Sequence, residues 1–153
     1  MPTTSIEQTT ARIRESFDRQ ALMRTLGAEL AGVADGEVRI RLAASAHISQ
    51  QHGFAHAGAI ASIADSACGY ACLTKMPEDA AVLSVEFKIN LLAPAAGKSF
   101  LAIGRVVRTG KTISVATAEV LAESEDGTSK CIAVMQATMM RVDAAGSTGG
   151  RAG

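Results

Sequence analysis

The chain has no tryptophan, one tyrosine, four phenylalanines, three prolines, three cysteines and no excess charge of either sign. Fifteen basic side chains balance fifteen acidic ones, so no net field draws it to nucleic acid or anionic lipid, and an anionic ligand must be met by a local patch. Cys68, Cys72 and Cys131 contain no Cys-x-x-Cys pair. Their odd number argues for reduced thiols in a cytoplasm, and no His/Cys/Asp spacing resembles a metal site. The first residues lack a basic stretch followed by an apolar core, so no secretory signal is expected. No internal repeat or heptad is found, and no low-complexity block apart from the Gly-rich end.

Apolar side chains are plentiful: 48% of 153 residues are hydrophobic, enough for one domain with a real core and too few residues for two. The longest weakly charged stretch, Ala55 to Thr74, approaches membrane-spanning length. Asp65 at its middle and the scarcity of large apolar residues argue for a protein interior over lipid.

Ser5 with Gln8 resembles a capping box, and Ile6, Ile13 and Phe17 give a helical stripe over residues 6 to 18, with a second short turn after it. Leu26 to Ala34 and Glu37 to Ala43 form a hairpin about Asp35-Gly36, the second strand alternating Val38, Ile40 and Leu42 against Glu37, Arg39 and Arg41. Residues 45 to 55 make a polar loop into an Ala-rich helix that ends near Thr74. Four strands follow. Ala81 to Leu92 alternates Leu83, Val85, Phe87, Ile89 and Leu91 against Ser84, Glu86, Lys88 and Asn90. Residues 99 to 108 and 112 to 122 flank Thr109-Gly110-Lys111, and 129 to 141 follows Asp126-Gly127. An antiparallel sheet of this size needs one face covered, and one long helix is offered to cover it. An α+β fold is expected, with the sheet wrapped around that helix. Residues 1–19 form an N-terminal helical arm, 20–142 the domain, and 143–153 a disordered Gly-rich tail.

Asp65 is the only charged side chain between His56 and Thr74. Removing a carboxylate from water costs several kcal/mol, roughly, unless it has partners or a task. Upstream, Gln50 to Gly58 sets an amide, two glycines and a histidine at the helix start. Helix N-termini present unpaired N–H groups and positive potential, so a carboxylate plus a helix tip suits acyl-group chemistry.

The stretch Gln50-x-x-Gly53-x-x-His56-Ala57-Gly58, followed by Ile63-Ala64-Asp65, resembles the hotdog-fold thioesterases, most closely the phenylacetyl-CoA (PaaI-like) branch. That family reads Asn-x-x-Gly-x-x-His-Gly-Gly and then Asp. Gly53, His56, Gly58 and Asp65 stand in register, whereas Gln50 and Ala57 replace Asn and Gly. The resemblance extends over residues 20 to 142. It implies hydrolysis of an acyl-CoA thioester to a carboxylic acid and free CoA, with Asp65 as nucleophile or general base. Ala57 would supply an oxyanion N–H, Gln50 would orient water or carbonyl, His56 would position the helix start, and Ser84 would hold the water. Gly58, Phe54, Tyr70, Leu83 and Phe87 would meet the substrate. No cofactor is implied beyond the CoA of the substrate. Arg105, Arg108 and Lys111, with Lys88, are the candidate basic lip for its phosphates.

His56 and Asp65 are nine residues apart, about 13 Å along a helix and turned by about 180°. One chain cannot easily aim both at one carbonyl. An obligate homodimer sharing its sites is therefore expected, and the resemblance adds pairing of dimers into tetramers. A non-catalytic acyl-CoA-binding module on the same fold is the alternative, and a hotdog dehydratase or hydratase has no matching signature.

Overall fold

The computed structural model describes residues 5–144. The tail expected from residue 143 lies outside them except for Asp143 and Ala144. Two helices, α1 (Ile6–Asp18) and α2 (Ala21–Leu26), precede strands β1 (Ala28–Ala34) and β2 (Glu37–Ala43). A 3-10 turn (Ala46–Ile48) leads toward the long helix α3 (Ala57–Leu73). Strands β3 (Ala80–Leu91), β4 (Ser99–Thr109), β5 (Ile113–Glu123) and β6 (Ser129–Asp143) complete the chain. All strand pairs are antiparallel, in the order β1-β2-β4-β5-β6-β3. The sheet wraps α3, as expected. No helix among the described residues is long and apolar enough to cross a membrane.

The local signals act as their chemistry dictates. Ser5 Oγ accepts the Gln8 N–H while Gln8 Oε1 accepts the Ser5 N–H, completing the capping box of α1. The buried stripe of α1 is Thr9, Ile13 and Phe17, and Ile6 is exposed, so the stripe starts one turn later than its apolar residues suggest. Leu26 belongs to α2, not to a strand; Gly27 ends that helix with φ of 76°, a left-handed conformation that favours glycine.

The core lies between α3 and the inner sheet face. Val38, Ile40, Leu42, Phe100, Val120 and Met139 supply bulk around Ile60 and Ile63. Small residues let helix and sheet approach: Ala64, Ala67 and Ala71 on α3, and Ala102, Ala116, Ala118 and Ala137 on the strands, are all buried. The tightest point is Gly104 on β4, where a Cβ would lie 2.4 Å from the Ala67 carbonyl carbon and 2.7 Å from the Cys68 nitrogen. Backbone meets backbone there, so neither side can yield by turning a rotamer.

Strand β3 carries an irregularity that decides the site. Its register against β6 shifts between Ser84 and Glu86: Ser84 opposes Met139, whereas Phe87 opposes Ala137. Both partners are buried, and directly opposed residues share a face. The bulge at Val85 thus corrects the uninterrupted alternation of the sequence, bringing Ser84 onto the inner face with Phe87, Ile89 and Leu91.

Gly104→Ala is expected to destabilise the protein by about 1–3 kcal/mol, the usual cost of overpacking. A urea midpoint equal to that of the wild type would show that the helix does not depend on this contact.

Candidate active site

Two clefts flank α3, one at its N-terminal tip and one at its middle. The tip is built by the loop after the 3-10 turn. Gln50 N–H donates to the Phe54 carbonyl at 2.8 Å and Gly53 N–H to the Gln50 carbonyl at 3.0 Å. Gly53 turns the chain with φ of 87°. The Gln50 side-chain oxygen accepts the His52 N–H, so this amide is anchored in its own loop. His56 is the N-cap of α3, its Nδ1 accepting the Gly58 N–H at 2.8 Å. An accepting Nδ1 leaves Nε2 to carry the proton of the neutral ring.

Ala57 is the first helical residue, and among the described residues its N–H has no acceptor. It lines a mostly apolar cleft of about 630 Å³ with Gln50, Phe54, His56, Ile60 and Leu91. An unpaired N–H at a helix start is an anion site in outline, because the aligned peptide dipoles add positive potential to its donor. Replacing glycine by alanine at this position preserves the donor.

Asp65 lies half-buried in the second cleft, of about 610 Å³. Ser84 Oγ donates to Asp65 Oδ1 at 2.7 Å and lies 3.5 Å from Met139 Sδ. Oδ2 accepts no hydrogen bond among the described residues. This half-satisfied carboxylate keeps one oxygen available for chemistry. Behind it, burial, with smaller contributions from Cys72 and Asp65, pushes the Cys68 thiol up to about 12, and burial pushes Cys72 up to about 11. Both remain thiols at neutral pH and do not compete as nucleophiles.

The candidate residues therefore fall into two groups. Gln50, Phe54, His56 and Ala57 gather at the tip, with Gly58 exposed in the first turn. Asp65, Ser84 and Tyr70 gather at the middle cleft. No residue lines both clefts. Leu83 and Phe87 are exposed on β3, and Arg108 and Lys111 are exposed at or beside the β4–β5 hairpin; none of the four lines either cleft. Arg105 is committed to Glu37 at 2.9 Å and Glu119 at 3.0 Å, and Lys88 belongs to a separate surface hollow. The sequence reading missed Ser16 and Gln20 on the α1–α2 segment, and Ser66, which line the Asp65 cleft. No local motif marks them; Ser66 follows Asp65 on α3, whereas Ser16 and Gln20 reach the cleft because α1 packs Phe17 beside Tyr70, ring centroids 6.1 Å apart.

A family model described as the thioesterase superfamily matches residues 52–129. A crystal structure of a thioesterase family protein from Silicibacter pomeroyi is 44% identical, with a TM-score of 0.85 over 88% of this chain and 98% of that one. The E. coli PaaI protein of the phenylacetic acid degradation operon, 21% identical, has a TM-score of 0.79 over 91% of this chain and 96% of its own, a likeness of fold. A Halobacterium salinarum protein provisionally named an esterase is 29% identical over 120 residues, 75% of this chain and 79% of that protein.

His56→Ala, which removes the cap acceptor, is expected to cost about 1 kcal/mol, and His56→Asn, which restores a capping oxygen, to recover most of it. Equal melting temperatures for the wild type and His56→Ala would exclude the capping role.

Proposed function

We propose, from the premise that the chain belongs to the thioesterase superfamily, that it hydrolyses acyl-CoA thioesters to a carboxylic acid and free CoA. Family membership supports a thioester hydrolase in general. The finer reading rests on one observation: a carboxylate with one oxygen held by Ser84 and the other unengaged, facing open space, on the same helix whose tip presents the unpaired Ala57 N–H.

In the nucleophilic route, Asp65 Oδ2 attacks the thioester carbon and the C–S bond breaks. CoA leaves as thiolate, and water then cleaves the acyl-aspartyl anhydride. In the general-base route, Asp65 takes a proton from water, the nascent hydroxide attacks, and the departing sulfur recovers a proton. Both routes place negative charge on the carbonyl oxygen. Ala57 N–H and the α3 dipole would stabilise that charge, for they are fixed before reaction begins. Ser84 would hold the carboxylate in one orientation. CoA belongs to the substrate, and no cofactor enters either route.

Within a chain the two halves open into clefts that share no lining residue, and the sheet edge offers a way to join them. Strand β3 is an edge strand of 12 residues, with Leu83 53%, Phe87 44% and Leu91 54% exposed. A long apolar edge invites pairing. The tip cleft is lined by Leu91 at one end of β3, and the Asp65 cleft by Ala80, Ala81, Val82 and Ser84 at the other. Two-fold antiparallel pairing of β3 edges would lay the Leu91 end of one chain against the Ser84 end of its partner. It would bring tip and carboxylate together at two equivalent sites. The functional unit is then a homodimer, and two such dimers would make the tetramer.

Thiol release from a panel of aryl and aliphatic acyl-CoAs tests this reading. Asp65→Asn is expected to lower kcat at least about a hundredfold. Ala57→Pro replaces the N–H by a ring carbon at the first helical position, where proline is tolerated and where His56 already has the extended conformation that a following proline requires. It is expected to fold normally and to lose about a hundredfold in kcat. Wild-type rates in Asp65→Asn would contradict the assignment; tight acyl-CoA binding without thiol release would return the protein to the class of binding modules.

A further inference from the structure

We infer that Glu86 and Lys88 fix the register in which a second copy of this chain joins the β3 edge, with Phe87 on the two-fold axis and each Glu86 against the partner's Lys88. The inference rests on the shared-site reading above and names the contact that aligns its two halves. Strand β3 ends the sheet beside β6, so one side of its backbone is unpaired. Leu92 N–H donates to the Ile132 carbonyl at 2.8 Å. The alternation of an antiparallel ladder then turns the N–H and C=O of Leu91, Ile89 and Phe87 toward the free edge. Side chains alternate as well: Phe87, Ile89 and Leu91 face the helix side, and Glu86, Lys88 and Asn90 the outer side. An axis passing between two residues would set inner side chains opposite outer ones, so the axis must pass through a residue.

Charge selects among the axes that remain. An axis on Glu86 sets that carboxylate against the partner's Glu86, and an axis on Lys88 sets that ammonium against the partner's Lys88; like charges directly opposite each other destabilise a strand pair. An axis on Ile89 sets Lys88 against the partner's Asn90 and forms no ion pair. An axis on Phe87 makes the Glu86 to Lys88 contact at two equivalent places and brings the two Phe87 rings together on the inner face. Both charged groups are ready for it. Thr138 Oγ1 donates to Glu86 Oε1 at 2.6 Å, and Oε2 accepts no hydrogen bond among the described residues. Lys88 is exposed, stands opposite the neutral Gln136, and forms no ion pair among the described residues. A lysine on a free edge discourages pairing. A glutamate two residues away on the same face exempts one register from that rule.

The clefts select the same axis independently. On β3 the tip cleft is lined by Leu91, and the Asp65 cleft by Ala80, Ala81, Val82 and Ser84. Leu91 is four residues past Phe87. With the axis on Phe87 and the extra residue of the Val85 bulge counted, Leu91 comes level with the partner's Val82, beside the Asp65 cleft. Moving the axis by one residue slides the strands by two, about 7 Å. That is more than twice the length of a hydrogen bond, enough to part a helix tip from the carboxylate it must meet. Two surface side chains with no reactive role thus decide whether the two halves of the site coincide.

The test uses the full-length wild type, Glu86→Lys, Lys88→Glu and the doubly exchanged Glu86→Lys/Lys88→Glu. Chains are unfolded in pairs, one of each pair isotope-labelled, refolded in equal amounts, and their dimer composition is read by native mass spectrometry. Indiscriminate pairing gives about half mixed dimers. Glu86→Lys with Lys88→Glu is expected to give roughly nine-tenths mixed dimers, because only the mixture sets lysine against glutamate at both contacts. The doubly exchanged chain alone is expected to dimerise as the wild type does. Refolded with the wild type, it is expected to give less than about a fifth mixed dimers, because like charges then meet at both contacts. An axis on Glu86 or on Lys88 would put opposite charges on the axis of that last mixture and favour mixing. Mixed dimers at half or above in that mixture, or a doubly exchanged chain that stays monomeric, overturn the register while leaving the shared site in place. A wild type that stays monomeric at assay concentration overturns both.

Discussion

A helix cannot bend back on itself, and that constraint governs how this protein can work. The unpaired Ala57 N–H and the Asp65 carboxylate sit on one continuous helix, α3, separated by two turns and more, and each opens into a cleft with no lining residue in common. Either half alone is unremarkable: many helices present a free N–H, and many proteins hold a half-buried aspartate. Chemistry on an acyl group needs an attacking oxygen and a stabilised oxyanion at the same carbon. Each element around α3 is consistent with a second copy closing that distance. The 12-residue edge β3 carries exposed leucine and phenylalanine and has one cleft at each end.

Packing keeps the two halves in place. At Gly104 the sheet backbone rests on the helix backbone, which fixes the depth of α3, while alanines on both sides remove the play that larger, rotatable side chains would allow. The bulge at Val85 then sets the azimuth of Ser84. Without that extra residue Ser84 would face away from the helix, and Asp65 Oδ1 would lose its 2.7 Å donor. The site thus depends on one glycine contact and one strand irregularity, neither of which carries a reactive group.

Much of this was legible in the sequence, for identifiable reasons. The capping box of α1, the Asp35-Gly36 hairpin and the order of helices and strands follow from short-range rules, and the structure keeps them. Asp65 stood out because a charge in an alanine-rich helix is costly, and the motif upstream gave the tip. Three features were not legible. A bulge depends on how β3 pairs with β6, so strict alternation put Ser84 on the wrong face. Thr9 in place of Ile6 in the buried stripe depends on where α1 docks. Ser16 and Gln20 carry no pattern of their own, and join the cleft through the packing of Phe17 against Tyr70. The basic residues offered for CoA phosphates were chosen from charge and hairpin position alone, and in the folded chain Arg105 already holds two carboxylates.

The most direct test of the shared site is complementation between two inactive subunits. Asp65→Asn and Ala57→Pro chains, each purified, are unfolded together, refolded in equal amounts and assayed for thiol release. If each site takes its helix tip from one chain and its carboxylate from the other, mixed dimers hold one intact site and one doubly defective site. Random pairing then restores roughly a quarter of the wild-type activity. Activity no greater than the sum of the two variants refolded separately, with mixed dimers shown to be present, would contradict the account.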